Sequence, residues 1–230
     1  MQYWKSTILS LVLVVFLSLS TIPAVPARAQ APGEKKTEEA AVKKTKDSRE
    51  IQVGEWLVLG PVKTPFPAFH DTEKADDDAT FLLSFRDMDI SSFTPVAGGR
   101  VDVFGGDMAW FRSPADSTGT LIDHSEAHPS TVYLATWIEL PRWMEIEVEA
   151  SSTNPFELYV DGRSVAKCTS GTGTGQLGEI KTGSASLKQG KYLVVAKGVH
   201  VPADTASEWR FNAYVKAKEK FREDPVVTLD

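Results

Sequence analysis

One cysteine and four histidines are all that this 230-residue chain offers of the two side chains most used in redox and metal chemistry. A lone Cys168 makes no internal disulfide, and its sequence neighbours supply no activated thiolate, so it reads as a small, partly buried apolar residue. Catalytic signatures are also missing. There is no Gly-x-Ser-x-Gly elbow to expose a nucleophile. No His-Glu-x-x-His pair is present, and "GTGTGQLG" lacks the Gly-Lys-Ser/Thr that a phosphate loop needs. Glycoside hydrolysis needs two carboxylates at a fixed separation, and among 31 acidic residues no pair stands out. Basic excess is lacking too: the formal charge is −6, which argues against nucleic acid as a partner and against a basic membrane-surface helix.

Long apolar runs are scarce. The one at Ile8–Leu19 is too short for a spanning helix, which takes roughly 20 apolar residues, and Pro23 and Pro26 follow it. With Lys5 before it and Ala27-Arg28-Ala29 after it, the pattern is that of a secretory signal cleaved after Ala29. The expected mature chain is therefore exported, periplasmic or extracellular, with no stable membrane insertion. Lys5 and Arg28 leave with the signal and no acidic residue does, so the mature chain is more acidic still. Residues 30–50, "QAPGEKKTEEAAVKKTKDSRE", have almost nothing to bury and are expected to form a disordered charged linker.

What the remainder does contain is strand signals at regular spacing. "EWLVLGPV" is a buried opening strand with a stop at Gly60-Pro61, and "TPFPAFHDTEKADDDATF" reads as a long surface loop. "RVDVFGGDMAWFRS" is a hairpin or bulge around Gly105-Gly106 with Trp110 inward. Both faces of "STVYLATWIELP" are apolar, as in a central strand, whereas "MEIEVEASS" alternates Ile146, Val148 and Ala150 with Glu145, Glu147 and Glu149, as in a sheet with one wet face. Asp161-Gly162 joins "FELYV" to "RSVAKC" in a tight primed turn. "TSGTGTGQLGEIKTGS" is a flexible loop, "ASLKQGKYLVVAKGVH" is strand, Gln-Gly turn, strand, and "EWRFNAYVKAK" closes the domain. Helical periodicity is nearly absent and no repeat of fixed length is visible, so the class is all-β, a sandwich of jelly-roll type over residues 51–218. Residues 219–230 read as a charged connector leaving the sandwich.

Taken in order, "EWLVLGPV", "VYLATWIEL", "FELYVDGRSVA", "LKQGKYLVVAKGV" and "WRFNAYV" resemble a galactose-binding-like jelly-roll module of exported bacterial proteins. The resemblance rests on a Trp-x-x-x-Gly-Pro opening strand, an Asp/Asn-Gly hairpin, a Leu-Lys-x-Gly hairpin and a Trp-x-Phe closing strand, and covers most of Ile51 to Val215. It implies a carbohydrate-binding accessory domain, attached to a hydrolase or standing at the N-terminus of an exported peptidase or β-propeller protein. It also implies that the chain is a piece, or a degenerate relative, of a longer protein. Related modules often carry an Asp-Asp pair just before the Asp/Asn-Gly hairpin; "SSTNPFELYVDG" has none, which weakens any calcium or ligand site inferred from that pair.

The expected function is thus non-catalytic: glycan binding, or service beside a catalytic partner. The alternative is a structural or docking domain. Polysaccharide or a hydrolase domain is the expected partner. For glycan, Trp143 in the turn "LPRWME" is the candidate stacking ring, with Arg142 beside it and Asp161 at the hairpin tip as polar groups. Tyr159 and Trp110 are expected in the core. No cofactor is called for; calcium is the one ion considered, with Asp76, Asp77 and Asp78 of the acidic loop as its candidate ligands. His124 and His128 flank Glu126, but Pro129 argues against the helix that would converge them on zinc.

Overall fold

The computed structural model describes residues 50–64, 75–85, 88–103, 105–123, 128–172, 175–202, 208–218 and 224–229. All of them belong to one compact unit, Lys44–Asp230. The expected signal peptide and nearly all of the expected linker lie outside the described residues. No helix among the described residues is long and apolar enough to cross a membrane.

In chain order the strands are β1 (Ile51–Gln52), β2 (Glu55–Lys63), β3 (Arg100–Val103), β4 (Gly106–Ala109), β5 (Phe111–Pro114), β6 (Thr120–Ile122) and β7 (Ser130–Leu140). They continue as β8 (Met144–Ser152), β9 (Phe156–Val160), β10 (Arg163–Cys168), β11 (Lys181–Leu187), β12 (Gly190–His200), β13 (Trp209–Ala217) and β14 (Val226–Thr228). A helix, α1 (Ala75–Ser84), and a 3-10 turn at Ile90–Ser92 lie between β2 and β3.

Two antiparallel sheets form a β-sandwich. One runs β1-β13-β8-β11, with β6 also on β13; the other runs β10-β9-β12-β7-β2-β5, with β14 also on β7. Alternation decides what fills the space between them. Ile146, Val148 and Ala150 of β8 and Trp209, Phe211, Ala213 and Val215 of β13 meet Val132, Leu134 and Ile138 of β7 in one core. Phe211 lies edge-on to both Trp56 and Phe156, with ring centroids 5.5 and 5.4 Å away. The expectations for these strands hold.

The outer faces differ. On β8 the alternate positions are Glu145, Glu147 and Glu149, which face Lys216 of β13 and Lys218 just beyond it in a charged ladder at the water surface. On β7 and β2 the alternate positions, Tyr133, Ala135, Leu57 and Leu59, are buried as well. They are covered by Phe93, Trp110 and the separate β3–β4 hairpin. Trp110 is inward, as expected, and stacks edge-on against Phe93.

Four expectations are corrected. The stretch 64–81 is not all loop: from Ala75 it is helical, because the acidic run suits a helix N-terminus and Leu82 and Leu83 give the helix an apolar side to bury. Gly60-Pro61 does not end β2. The peptide is cis, the register shifts between Leu59 and Val62, and pairing with β7 resumes to Lys63. β11 begins at Lys181 rather than Ala185, and it pairs with β8 while β12 pairs with β7, so the Gln-Gly turn passes between sheets and makes no hairpin. The C-terminal segment does not simply leave: β14 pairs with Trp137–Glu139 of β7, on the edge that β2 leaves uncovered beyond Ala135.

Candidate functional site

The β9–β10 hairpin is where the sandwich acquires concave surface. Asp161 and Gly162 both have positive φ, 51° and 72°, the requirement of a primed two-residue turn. Gly162 is needed twice over, since a Cβ there would come within 2.9 Å of the Ser91 side chain. The tip is therefore pressed against the 3-10 turn, and a concavity lies on either side of it.

On one side is a groove of about 500 Å³ between the edges of the two sheets. Asp161, Arg163 and Ser164 line it from the hairpin, Ser184 and Ser186 from β11, Lys188 from the β11–β12 connection and Tyr192 from β12. Beside it, a Cβ at Gly183 would stand 2.6 Å from Val165; only a glycine lets β10 and β11 approach so closely. All of these polar lining side chains are exposed, and Tyr192 is half-buried. The Ser164 hydroxyl donates to Glu157 at 2.6 Å, and Glu157 also faces Lys167. Asp161 is the one carboxylate among the lining residues, so the groove does not hold the carboxylate pair of a glycosidase.

On the other side is a cavity of about 310 Å³ on the outer face of the larger sheet, lined by Tyr133, Tyr159 and Lys197 below and by Leu83, Met88 and Ile90 above. Lys197 is 3% exposed, and its ammonium donates to the carbonyls of Leu83 and Phe85 at the end of α1. No basic residue lies in the last turn of α1 itself, so a lysine from the sheet supplies the charge that a helix C-terminus favours.

The candidates named from sequence separate accordingly. Trp143 is 54% exposed in the turn between β7 and β8, and Arg142 is exposed beside it. Neither lines the groove, but Met144, the next residue, pairs with Leu187, which does. Asp161 lies in the groove wall. Tyr159, expected in the core, is half-buried and lines the cavity on the outer face. Asp78 is 2% exposed on α1, and the side chains of Asp76 and Asp77 lie outside the described residues. His124 and Glu126 also lie outside the described residues, and among those described no group of three potential metal ligands occurs. Cys168 is half-buried against the core, its thiol 3.4 Å from the Ser170 carbonyl.

Sequence reasoning missed Arg163, Lys188, Tyr192 and Lys197. Lys197 had a signal, a single charge inside the apolar run "YLVVAKGVH", which must be satisfied where it is buried. The groove residues had none, because they come from different sheets.

No protein-family model matches the chain, and no curated protein matches it. Among solved structures, a β-glucosidase from Kluyveromyces marxianus in complex with glucose is similar at 12% identity and a TM-score of 0.40, over 54% of this chain and 16% of that one. The selenomethionine-labelled form of the β-glucosidase from Kluyveromyces marxianus is similar at 12% identity and a TM-score of 0.37, over 52% of this chain and 15% of that one. The likeness takes in about a sixth of the enzyme's length and is too loose to carry an activity, a ligand or a catalytic residue to this chain.

Proposed function

We propose that the chain is a non-catalytic, exported β-sandwich module of jelly-roll type that binds glycan at the edge groove, as an accessory to a hydrolase. The observation that carries this reading is the groove's lining: hydroxyls, three charged groups and the half-buried ring of Tyr192, with Trp143 next in sequence to Met144, which pairs with the lining residue Leu187. A sugar ring offers an apolar face for an aromatic and a rim of hydroxyls for polar groups, and these residues answer both needs. Export rests on the signal pattern at Met1–Ala29.

A thermal melt of the mature chain against plant, bacterial and host polysaccharides tests the reading. A ligand at 100 times its Kd adds about 2.7 kcal/mol, which is a rise of several degrees. Tyr192→Ala should remove the rise, Trp143→Ala should reduce it, and calcium should not change it, since a calcium site takes six to eight oxygens and the groove lining has one carboxylate. No rise with any glycan would defeat the proposal.

A second reading, a docking domain of an exported peptidase or β-propeller protein, is favoured by a different surface. Phe111 and Leu121 are 49% and 52% exposed and share a hollow of about 300 Å³ with Pro61. Apolar side chains gathered at a sandwich edge suit another protein surface better than sugar. If Phe111→Ser and Leu121→Ser abolish association with a fused or co-expressed catalytic domain and leave glycan binding intact, both surfaces are functional.

A further inference from the structure

We propose that the glycan taken by the edge groove is acidic, a uronate-bearing or otherwise anionic chain whose negative groups meet Arg163 and Lys188. This rests on the glycan-binding reading above and narrows it to a chemical class. The observation behind it is how the cations are distributed. Among the described residues, Arg100, Arg112, Lys167, Lys181, Arg210, Lys216 and Lys218 each face a carboxylate within 4.0 Å. Lys191 stands over the Trp137 ring at 5.0 Å, Lys197 is held by carbonyls, and Arg142 is engaged as well.

Arg163, Lys188 and Lys63 are what remain, with no ion pair or hydrogen bond to a side chain among the described residues, and two of these three line the same groove. In a chain of net charge −6, where carboxylates outnumber cations, unpaired cations are the minority state. Their convergence is not a local charge run either: Arg163 opens β10 in one sheet and Lys188 lies in the crossing from the other sheet. The nearby carboxylate of Glu157 is already taken by Ser164 and Lys167. Asp161 is then the single negative group against two positive ones, suited to accept from sugar hydroxyls and to repel a uronate placed in the wrong register. Arg163 brings a planar fork matched to a carboxylate, and Lys188 a mobile point charge.

Calorimetric titration of the mature chain with polygalacturonate and with pullulan, at low and at moderate salt, tests this. The acidic polymer should bind saturably, pullulan at least tenfold more weakly, and salt should weaken the acidic complex. Arg163→Gln and Lys188→Gln should each weaken it roughly fivefold, with unchanged thermal midpoints because neither side chain supports the fold. Equal affinity for pullulan, or variants that bind polygalacturonate as the parent does, would overturn the acidic assignment while glycan binding stands. Binding to neither polymer, nor to any glycan in the melt panel, would remove both.

Discussion

The two sheets finish their outer faces in opposite ways. The sheet holding β8 and β13 stops at a row of carboxylates and ammoniums in water. The sheet holding β7 and β2 adds a second apolar layer, in which Phe93 lies edge-on to Tyr133 at 5.3 Å and to Trp110 at 5.7 Å. One face is maintained by a pattern within its strands, the other by a segment that crosses over it. The covered face holds one concavity, beneath the Leu83–Ile90 segment, and the edge between the sheets holds another.

The strongest way to break this contrast is Phe93→Ala, which removes the ring joining the cover to the sheet and should cost about 3–4 kcal/mol in denaturant unfolding. Lys197→Met comes next. It keeps the stem but leaves the Leu83 and Phe85 carbonyls without their ammonium donor, a loss of about 1–3 kcal/mol. Hydrogen exchange should locate that loss in α1 and leave β8 and β13 unchanged.

On the wet face, Lys216→Met should cost on the order of 1 kcal/mol or less. The hydrogen bond that Lys216 donates to Glu149, ahead of the burial that opposes it, raises the Lys216 ammonium above its ordinary 10.5. A raised lysine stabilises fully below its unfolded value and loses that contribution as pH climbs through the folded one. The parent should therefore be flat from this source at neutral pH and should lose stability above about pH 10.5, a loss that Lys216→Met lacks. The smallest stability effect belongs to Trp143→Ala, within about 0.5 kcal/mol of the parent, because an exposed turn ring packs little.

Legibility in the sequence follows the same division. β8 and β13 declare themselves because one face is wet, so each carries a period of two, and Asp161-Gly162 declares its turn because few residues tolerate positive φ twice in succession. The central place of β7 shows in its apolar residues on both faces, although nothing in β7 says what covers the outer one. Of the cover, the β3–β4 hairpin and the inward Trp110 are legible in the sequence, whereas the helix beside it is not. α1 offers an apolar run of only Phe81-Leu82-Leu83, too short for a helical period, behind an acidic stretch that looks like loop.

The first half of β11, up to Ala185, looks like loop for a related reason. Its buried position Gly183 is small because Val165 presses on it, and Ala185 follows on the same face, so the strand lacks the apolar alternation that marks its neighbours. The groove inherits that opacity, since one of its walls is β11. Trp143 was legible as an exposed ring; the groove beside it was not, because it exists only once the β10 edge and the β11 edge are brought together.

Glycan, on the proposal above, enters the edge groove and leaves the concavity beneath Leu83 untouched. Amide shift mapping of the isotopically labelled mature chain, titrated with oligogalacturonate, tests it most directly. Shifts are expected at Asp161–Ser164, at Ser184–Lys188 and at Tyr192, with Leu83 and Lys197 unmoved. Shifts centred on Leu83, Tyr133 and Lys197 instead would contradict it and would place the binding site beneath α1.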